Sequence, residues 1–222
     1  MSQTPFSIRT VLFDLDGTLA DTAPDLAHAL NVLRGEHGLP ALPFESIRPA
    51  ASHGSIALLK VGFQKEPGDV GFDELREQYL ELYLNNIHLH TRLFPGMEQV
   101  LQHIEASGMK WGVVTNKPAW LTEPLLQAMA LKQRAACIVS GDTLPERKPH
   151  PAPLLYACEQ TGSQAAQCLY VGDAERDILA GHRAGMKTLV ALFGYLAEDD
   201  DPAAWPADGM VAKAEEIIAW LR

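Results

Sequence analysis

The sequence predicts an α/β protein: an open parallel sheet with helices on both faces, and an all-helical block inserted behind the first strand. Three observations carry this expectation. From residue 94 onward, short apolar and β-branched runs alternate with amphipathic segments at the spacing of strand–helix–strand units. Residues 20–90 show helical periodicity and no strand signal. A buried-strand pattern at residues 10–13 precedes that stretch, so the helices interrupt a sheet already begun.

The chain from Thr10 to Thr22 reads TVLFDLDGTLADT. Thr10, Val11, Leu12 and Phe13 are β-branched or apolar, as a strand covered on both faces requires, and they lead into Asp14 and Asp16. Side chains alternate along an extended strand, but Gly17 is expected to turn the backbone and let both carboxylates converge. Convergent carboxylates at a strand end hold a divalent cation, or divide labour as nucleophile and general acid/base. An ordinary solvated acidic turn has the same composition, so the motif alone leaves these alternatives open.

Asp21 and Thr22 are expected to cap a helix over residues 23–37, with Pro24 in its first turn, Leu26, Leu30 and Leu33 on one face, and Gly38 as its stop. Residues 40–49 read as a loop. Ser52-His53-Gly54-Ser55 precede a helix over 56–63, and a Gly-flanked polar turn at a helix N-terminus presents free N–H groups to an anion. A third helix follows over 72–84, with Phe72, Leu75, Tyr79 and Leu82 along one face. Met97, Val100, Leu101 and Ile104 then mark a helix closed by Gly108. Strands are expected at 110–115, 136–140, 167–172 and 187–192, and helices at 120–129, 151–161 and 176–184, with a closing helix at 214–221.

A chain of 222 residues, 47% hydrophobic and 21% charged, suffices for one good core with a smaller second module. Its net charge of −10 argues against nucleic acid and anionic membranes as partners, and a phosphate ligand would need locally placed cations. Without an N-terminal apolar region or a run long enough to span a bilayer, a cytoplasmic protein is expected. Cys137, Cys158 and Cys168 are odd in number, lack CxxC spacing and lie in apolar segments, as buried reduced thiols do.

Ligands of open parallel sheets bind beyond the carboxyl ends of the strands. Thr115-Asn116 ends the second strand and offers hydrogen-bond donors suited to phosphoryl oxygens. Gly172-Asp173 ends the fourth, with Asp177 one helical turn on. Between them Lys148 supplies a cation, held extended by Pro149. Each has an ordinary alternative as a strand exit, a surface charge or an N-cap. Their coincidence at successive strand ends points to a site.

Asp14-Leu15-Asp16-Gly17-Thr18, Val114-Thr115-Asn116, Lys148-Pro149 and Gly172-Asp173 through Asp177 resemble, in order and separation, the four motifs of the haloacid dehalogenase superfamily. The resemblance covers nearly the whole chain. It implies a Rossmann-like catalytic core, residues 1–19 and 92–222, with a small α-helical cap domain at 20–91 that hinges on its two connections. Within the superfamily the chain is similar to phosphoglycolate phosphatases and especially to N-acetylmuramic acid 6-phosphate phosphatases, whose WGVVTNKP and GY…DDP…W…AD stretches resemble residues 111–118 and 194–208. Ala174 departs from the pattern, since many relatives carry a hydroxyl or acid there. A change in the hydrogen bonding around the site is expected from it, with no ligand lost.

The resemblance implies a Mg²⁺-dependent phosphatase acting on a small-molecule phosphate ester. Asp14 would be the nucleophile, Asp16 the general acid and then base, and the cation would sit on Asp14, the Asp16 carbonyl and Asp173, supported from behind by Asp177. Lys148 would offset charge, while Thr115, Asn116 and N–H groups near Gly17 orient the phosphoryl group. Selectivity then falls to the cap, where Ser52, His53 and Gly54 are expected at the leaving group, with Arg48, Lys60 or His53 as counter-charge. Small residues at Ala50, Ala51, Ser52 and Gly54 leave room for an amino-sugar phosphate over phosphoglycolate. A broad sugar-phosphate phosphatase, a sugar phosphomutase, a dehalogenase and a non-enzymatic phospho-acceptor module are the rival readings. A monomer or weak homodimer is expected, with no nucleic acid or membrane partner.

Overall fold

The computed structural model describes residues 8–221. Its first strand is β1 (Thr10–Phe13), and a two-residue strand β2 (Ala20–Asp21) follows. Helices α1 (Ala23–Glu36), α2 (Phe44–Ile47), α3 (Gly54–Phe63) and α4 (Phe72–Asn85) come next, then β3 (Arg92–Leu93). The remainder alternates: α5 (Met97–Ala106), β4 (Lys110–Val114), α6 (Ala119–Ala128), β5 (Ile138–Val139), α7 (Ala152–Thr161), β6 (Cys168–Gly172), α8 (Glu175–Ala184), β7 (Lys187–Ala191) and β8 (Gly209–Val211). The large sheet has the order β5-β4-β1-β6-β7-β8, with every neighbouring pair parallel. The expected α/β class is therefore what the chain forms.

β1 lies between β4 and β6, where the strand order reverses, so its carboxyl end opens on the crevice that such a sheet reserves for ligands. Period-two alternation divides its side chains between two cores. Val11 and Phe13 pack on one face with Trp111, Val113 and Val171, in a cluster that continues into the helical block. Leu12 packs on the other with Val114 and Tyr170, under Leu154 and Ala157 of α7 and Ala180 of α8. All three cysteines are buried and free.

In the helical block, α1 packs on both α3 and α4. Leu26, Leu30, Leu33, Leu58, Leu75, Tyr79 and Tyr83 are buried there. The two ends of the block meet. β2 pairs antiparallel with β3, Ala20 opposite Leu93 and Asp21 opposite Arg92. Just inside that ribbon the buried Asp25 carboxylate accepts the N–H groups of His90 and Thr91, both at 2.8 Å, and the Thr91 hydroxyl at 2.7 Å.

Local expectations fail where distant contacts decide. Asp21 and Thr22 do not cap α1: Thr22 Oγ1 donates to Asp16 at 2.6 Å. The Ala23 N–H instead donates to the hydroxyl of Tyr195, at 2.8 Å, and that hydroxyl donates to Asp21 at 2.7 Å. Residues 40–49 hold the short helix α2 and the start of a 3₁₀ segment, Arg48–His53, rather than open loop. β2 puts a strand inside the stretch expected to be all-helical. β8 was not legible, being three residues with Gly209 first and an exposed Met210. Ala214–Trp220 is a 3₁₀ helix; Ala214 and Ile217, its buried residues, are three apart, the period of that tighter turn.

Candidate active site

The strand ends bring the predicted residues together. Asp14 extends β1 by one register position, its N–H donating to Val171 O at 2.9 Å, and its carboxylate is 3% exposed at the floor of a cavity of about 570 Å³. Asp16, Thr115, Asn116, Ser52, His53 and Gly54 border the same cavity. Lys148, Asp173 and Asp177 lie buried behind that floor.

Lys148 is the hub. Its Nζ lies 2.8 Å from Asp14 Oδ1 and 2.7 Å from Asp177 Oδ1, and it donates to the Val114 carbonyl at 2.9 Å and to the Tyr170 hydroxyl at 2.8 Å. A lysine buried this deeply keeps its charge only if anions and acceptors replace water around it, and here they do. Asn116, expected to donate to phosphate, borders the cavity and also bonds the Lys148 backbone: its Nδ2 donates to Lys148 O at 3.0 Å and its Oδ1 accepts the Lys148 N–H at 3.1 Å. It positions the lysine.

Asp14, Asp173 and Asp177 each bring an oxygen within 4.8 Å of the others. Asp14 Oδ1 touches Lys148 without hydrogen-bond alignment, and it is the one buried side-chain polar atom without a hydrogen-bond partner among the described residues. Three carboxylates gathered this closely are hard oxygen donors that fit a divalent cation. Asp177 is the least available of the three, since Lys148 and the Ala174 N–H, at 3.1 Å, already occupy its oxygens. Ala174 has no hydroxyl to add, so its backbone is what links it to the cluster.

Burial holds the Asp14 carboxyl above its ordinary value; Lys148 opposes this and Asp177 adds repulsion. Burial also works against ionisation of Asp177, but Lys148 and Arg176 outweigh it and hold that carboxyl low. Asp173 is pushed up to about 7 by burial, then by repulsion from Asp14 and Asp177, despite bonds from Ser52 Oγ at 2.6 Å and the Tyr195 N–H at 2.9 Å. Cation affinity is therefore expected to rise roughly tenfold per pH unit up to about 7 and to level off above, because a proton must leave Asp173 first. Titration calorimetry between pH 5.5 and 8.5 checks this, and a flat profile rejects it. In the metal-free protein a raised carboxyl has the opposite sign of effect. The unfolded chain ionises first, so stability falls as pH rises from the usual carboxylate range to about 7.

Gly17 serves sterically. It has a φ of +87°, and a Cβ there would collide with the Asp173 carboxylate. Its N–H is taken by the Ala20 carbonyl at 3.1 Å. Ser52 is likewise engaged with Asp173 before any ligand arrives. Two expected counter-charges do not reach the cavity. Lys60 is exposed and paired with Glu66 at 2.5 Å, and Arg48 lies over the Tyr195 ring while donating to Phe193 O. His53 does line the cavity, where burial, then Arg176, hold its imidazole below the ordinary value.

The cations at the cavity are Lys117, Arg176, Arg147 and Arg76. Lys117 pairs with Asp16 at 2.8 Å and donates to the Tyr83 hydroxyl at 3.0 Å; Arg176 donates to the Ser52 carbonyl at 2.6 Å. Lys117 directly follows Thr115-Asn116 and Arg176 lies between Asp173 and Asp177, so adjacency to the motifs was the available signal.

Residues 11–191 match the sequence profile of the haloacid dehalogenase-like hydrolases. The chain belongs to this family. It is similar to a phosphoglycolate phosphatase of Xanthomonas campestris, 45% identical over 96% of this chain and 97% of the relative. An N-acetylmuramic acid 6-phosphate phosphatase of Pseudomonas putida is 41% identical over 95% of this chain and 94% of its own. Among solved structures, a predicted phosphoglycolate phosphatase of Haemophilus somnus superimposes with a TM-score of 0.85 at 30% identity, covering 97% of this chain and 98% of that one. No helix among the described residues is long and apolar enough to cross a membrane.

Proposed function

We propose that this phosphatase of the haloacid dehalogenase family hydrolyses N-acetylmuramic acid 6-phosphate with Mg²⁺ and an aspartyl phosphate on Asp14. The observation that carries the substrate is the cavity of about 570 Å³ above Asp14, walled by Arg76 and Arg147 as well as by Tyr79, Leu80 and Trp120. A carboxylated amino sugar fills such a space with apolar and anionic groups to match. A two-carbon acid leaves most of it to water. Phosphoglycolate is the second reading, favoured by the Xanthomonas relative. Residues 20–91 would act as the cap of a core formed by 1–19 and 92–222.

Asp14, Asp173 and the Asp16 carbonyl would hold the cation, with Asp177 behind them. When bound, it neutralises phosphoryl charge that would otherwise repel a carboxylate. The Asp14 carboxylate attacks phosphorus as the bond to the sugar oxygen breaks, and Asp16 delivers its proton to that oxygen. Water then attacks the same phosphorus and gives a proton to Asp16, and the Asp14–phosphorus bond breaks to release inorganic phosphate. Lys148 offsets the charge of Asp14 throughout, while Thr115 orients the phosphoryl group. At rest Asp16 is held by Lys117 and Thr22, at 2.8 and 2.6 Å, so it faces the cavity in a fixed rotamer.

The test is phosphate release from both esters with purified protein and Mg²⁺. A kcat/KM for the amino-sugar ester at least tenfold above that for phosphoglycolate, about 1.4 kcal/mol of transition-state discrimination, is expected. A tenfold preference the other way replaces the substrate. No phosphate release from any monoester rejects the phosphatase mechanism as a whole.

A further inference from the structure

The cavity over Asp14 does not stand alone. A second one, of about 560 Å³, runs outward along α4, and the two share Arg76, Leu80 and Trp120. These three residues form a waist between an inner chamber, where the phosphoryl chemistry lies, and an outer groove. Its two polar or aromatic sides come from different parts of the fold. Arg76 is on α4 of the helical block, and Trp120 is in the first turn of α6, held on the sheet by the Ala119 N–H donating to Asp142 at 2.8 Å.

Both residues have unused capacity. Trp120 is 47% exposed, and its indole makes no hydrogen bond among the described residues. Single exposed leucines are normal on a surface; a half-exposed indole at the neck of a cavity offers a flat apolar platform with one N–H to spare. Arg76 is exposed and forms no ion pair among the described residues. Its Nε donates to Ser55 Oγ at 3.0 Å, which fixes the guanidinium plane and leaves the terminal amino groups for a carboxylate. The outer groove beyond them is lined by Asp73, Glu77 and Glu81, which repel a further anion.

From this arrangement we infer that Trp120 and Arg76 are the specificity-determining pair for the leaving group. Trp120 stacks on the apolar face of a pyranose ring, and Arg76 binds one carboxylate borne by it. The acidic groove turns away sugars with a second anionic group. The pair thus selects a hexose derivative with a single carboxylate, and the selection rests on the amino-sugar reading above. Because one member belongs to the sheet's helical layer and the other to the inserted block, only a leaving group long enough to touch both is fully bound. Glycolate offers no ring for Trp120 to stack on.

Four variants and three esters test it: Trp120→Ala, Trp120→Phe, Arg76→Met and Arg76→Lys, each assayed on N-acetylmuramic acid 6-phosphate, on N-acetylglucosamine 6-phosphate, which lacks the carboxylate, and on phosphoglycolate. Trp120→Ala is expected to lower the kcat/KM ratio of either sugar ester to phosphoglycolate by about tenfold, mainly through KM, with Trp120→Phe recovering most of it. Arg76→Met is expected to erase about tenfold of preference for the carboxylated sugar over the plain one, with partial recovery in Arg76→Lys. Unchanged ratios in Trp120→Ala, or unchanged carboxylate preference in Arg76→Met, overturn the assignment while the wild-type preference for the amino sugar stands. A wild-type preference for phosphoglycolate overturns the underlying substrate reading before any variant is considered.

Discussion

Asp14→Asn is expected to abolish turnover, lowering kcat by about 10⁴-fold or more, which is roughly 5 kcal/mol of lost transition-state stabilisation. The amide keeps the shape of the carboxylate but is neutral and a far weaker nucleophile, and it cannot be regenerated as a leaving carboxylate. The fold should persist. Asp14 is 3% exposed, an amide oxygen can still accept from Lys148, 2.8 Å from Oδ1, and Lys148 retains Asp177 at 2.7 Å. Loss of phosphate release with a melting temperature within a few degrees of wild type is therefore the result that supports covalent catalysis at this position. A variant that keeps more than about 1% of wild-type kcat removes Asp14 from the nucleophile role.

Lys148→Met should show a different pattern, with activity and stability lost together. The substitution leaves the buried carboxylates of Asp14 and Asp177 facing each other without the cation between them, and it strands the Val114 carbonyl that Lys148 also serves. Removing one partner of a buried ion pair costs about 3–5 kcal/mol. For a chain of this size that corresponds to a fall of about 10 °C in melting temperature. Adding Asp177→Asn to Lys148→Met should recover part of the stability, because one stranded charge is gone, and none of the activity. Full stability in Lys148→Met alone would mean that the carboxylates are neutral in the folded protein and that the lysine is not what keeps them there.

These expectations centre on residues that were legible because their positions follow from local rules. Thr10, Val11, Leu12 and Phe13 read as a doubly covered strand and are fully buried at the sheet centre. Once β1 is central, the carboxyl-end rule places Asp14, Thr115 and Asp173 at one crevice without further information. Illegible features depend on chain segments far apart in sequence. The hydroxyl that caps α1 comes from Tyr195, and no local pattern around Thr22 reveals it. The cations at the cavity follow the same logic. Arg48 and Lys60 are near Ser52-His53-Gly54 in sequence, yet one turns to Phe193 and Tyr195 and the other outward to Glu66. Arg76 and Trp120 reach the cavity because α4 and α6 face each other across it, which is a property of packing and not of spacing.

The paired ends of the helical block have a consequence for how the chain was assembled. β2 and β3 leave and rejoin the sheet side by side, and Asp25 ties the returning strand to the first turn of α1. Seen from the sheet, everything between them is the tip of a hairpin. The entropy of closing such a tip grows only with the logarithm of its length, about 0.6 kcal/mol for each doubling. The length of the block above the ribbon therefore adds little to the entropic cost of closing it. What lies above the ribbon is bound to the site at particular points, Ser52 to Asp173 at 2.6 Å and Tyr83 to Lys117 at 3.0 Å, so a block of another length keeps the site in place only if it keeps those two contacts.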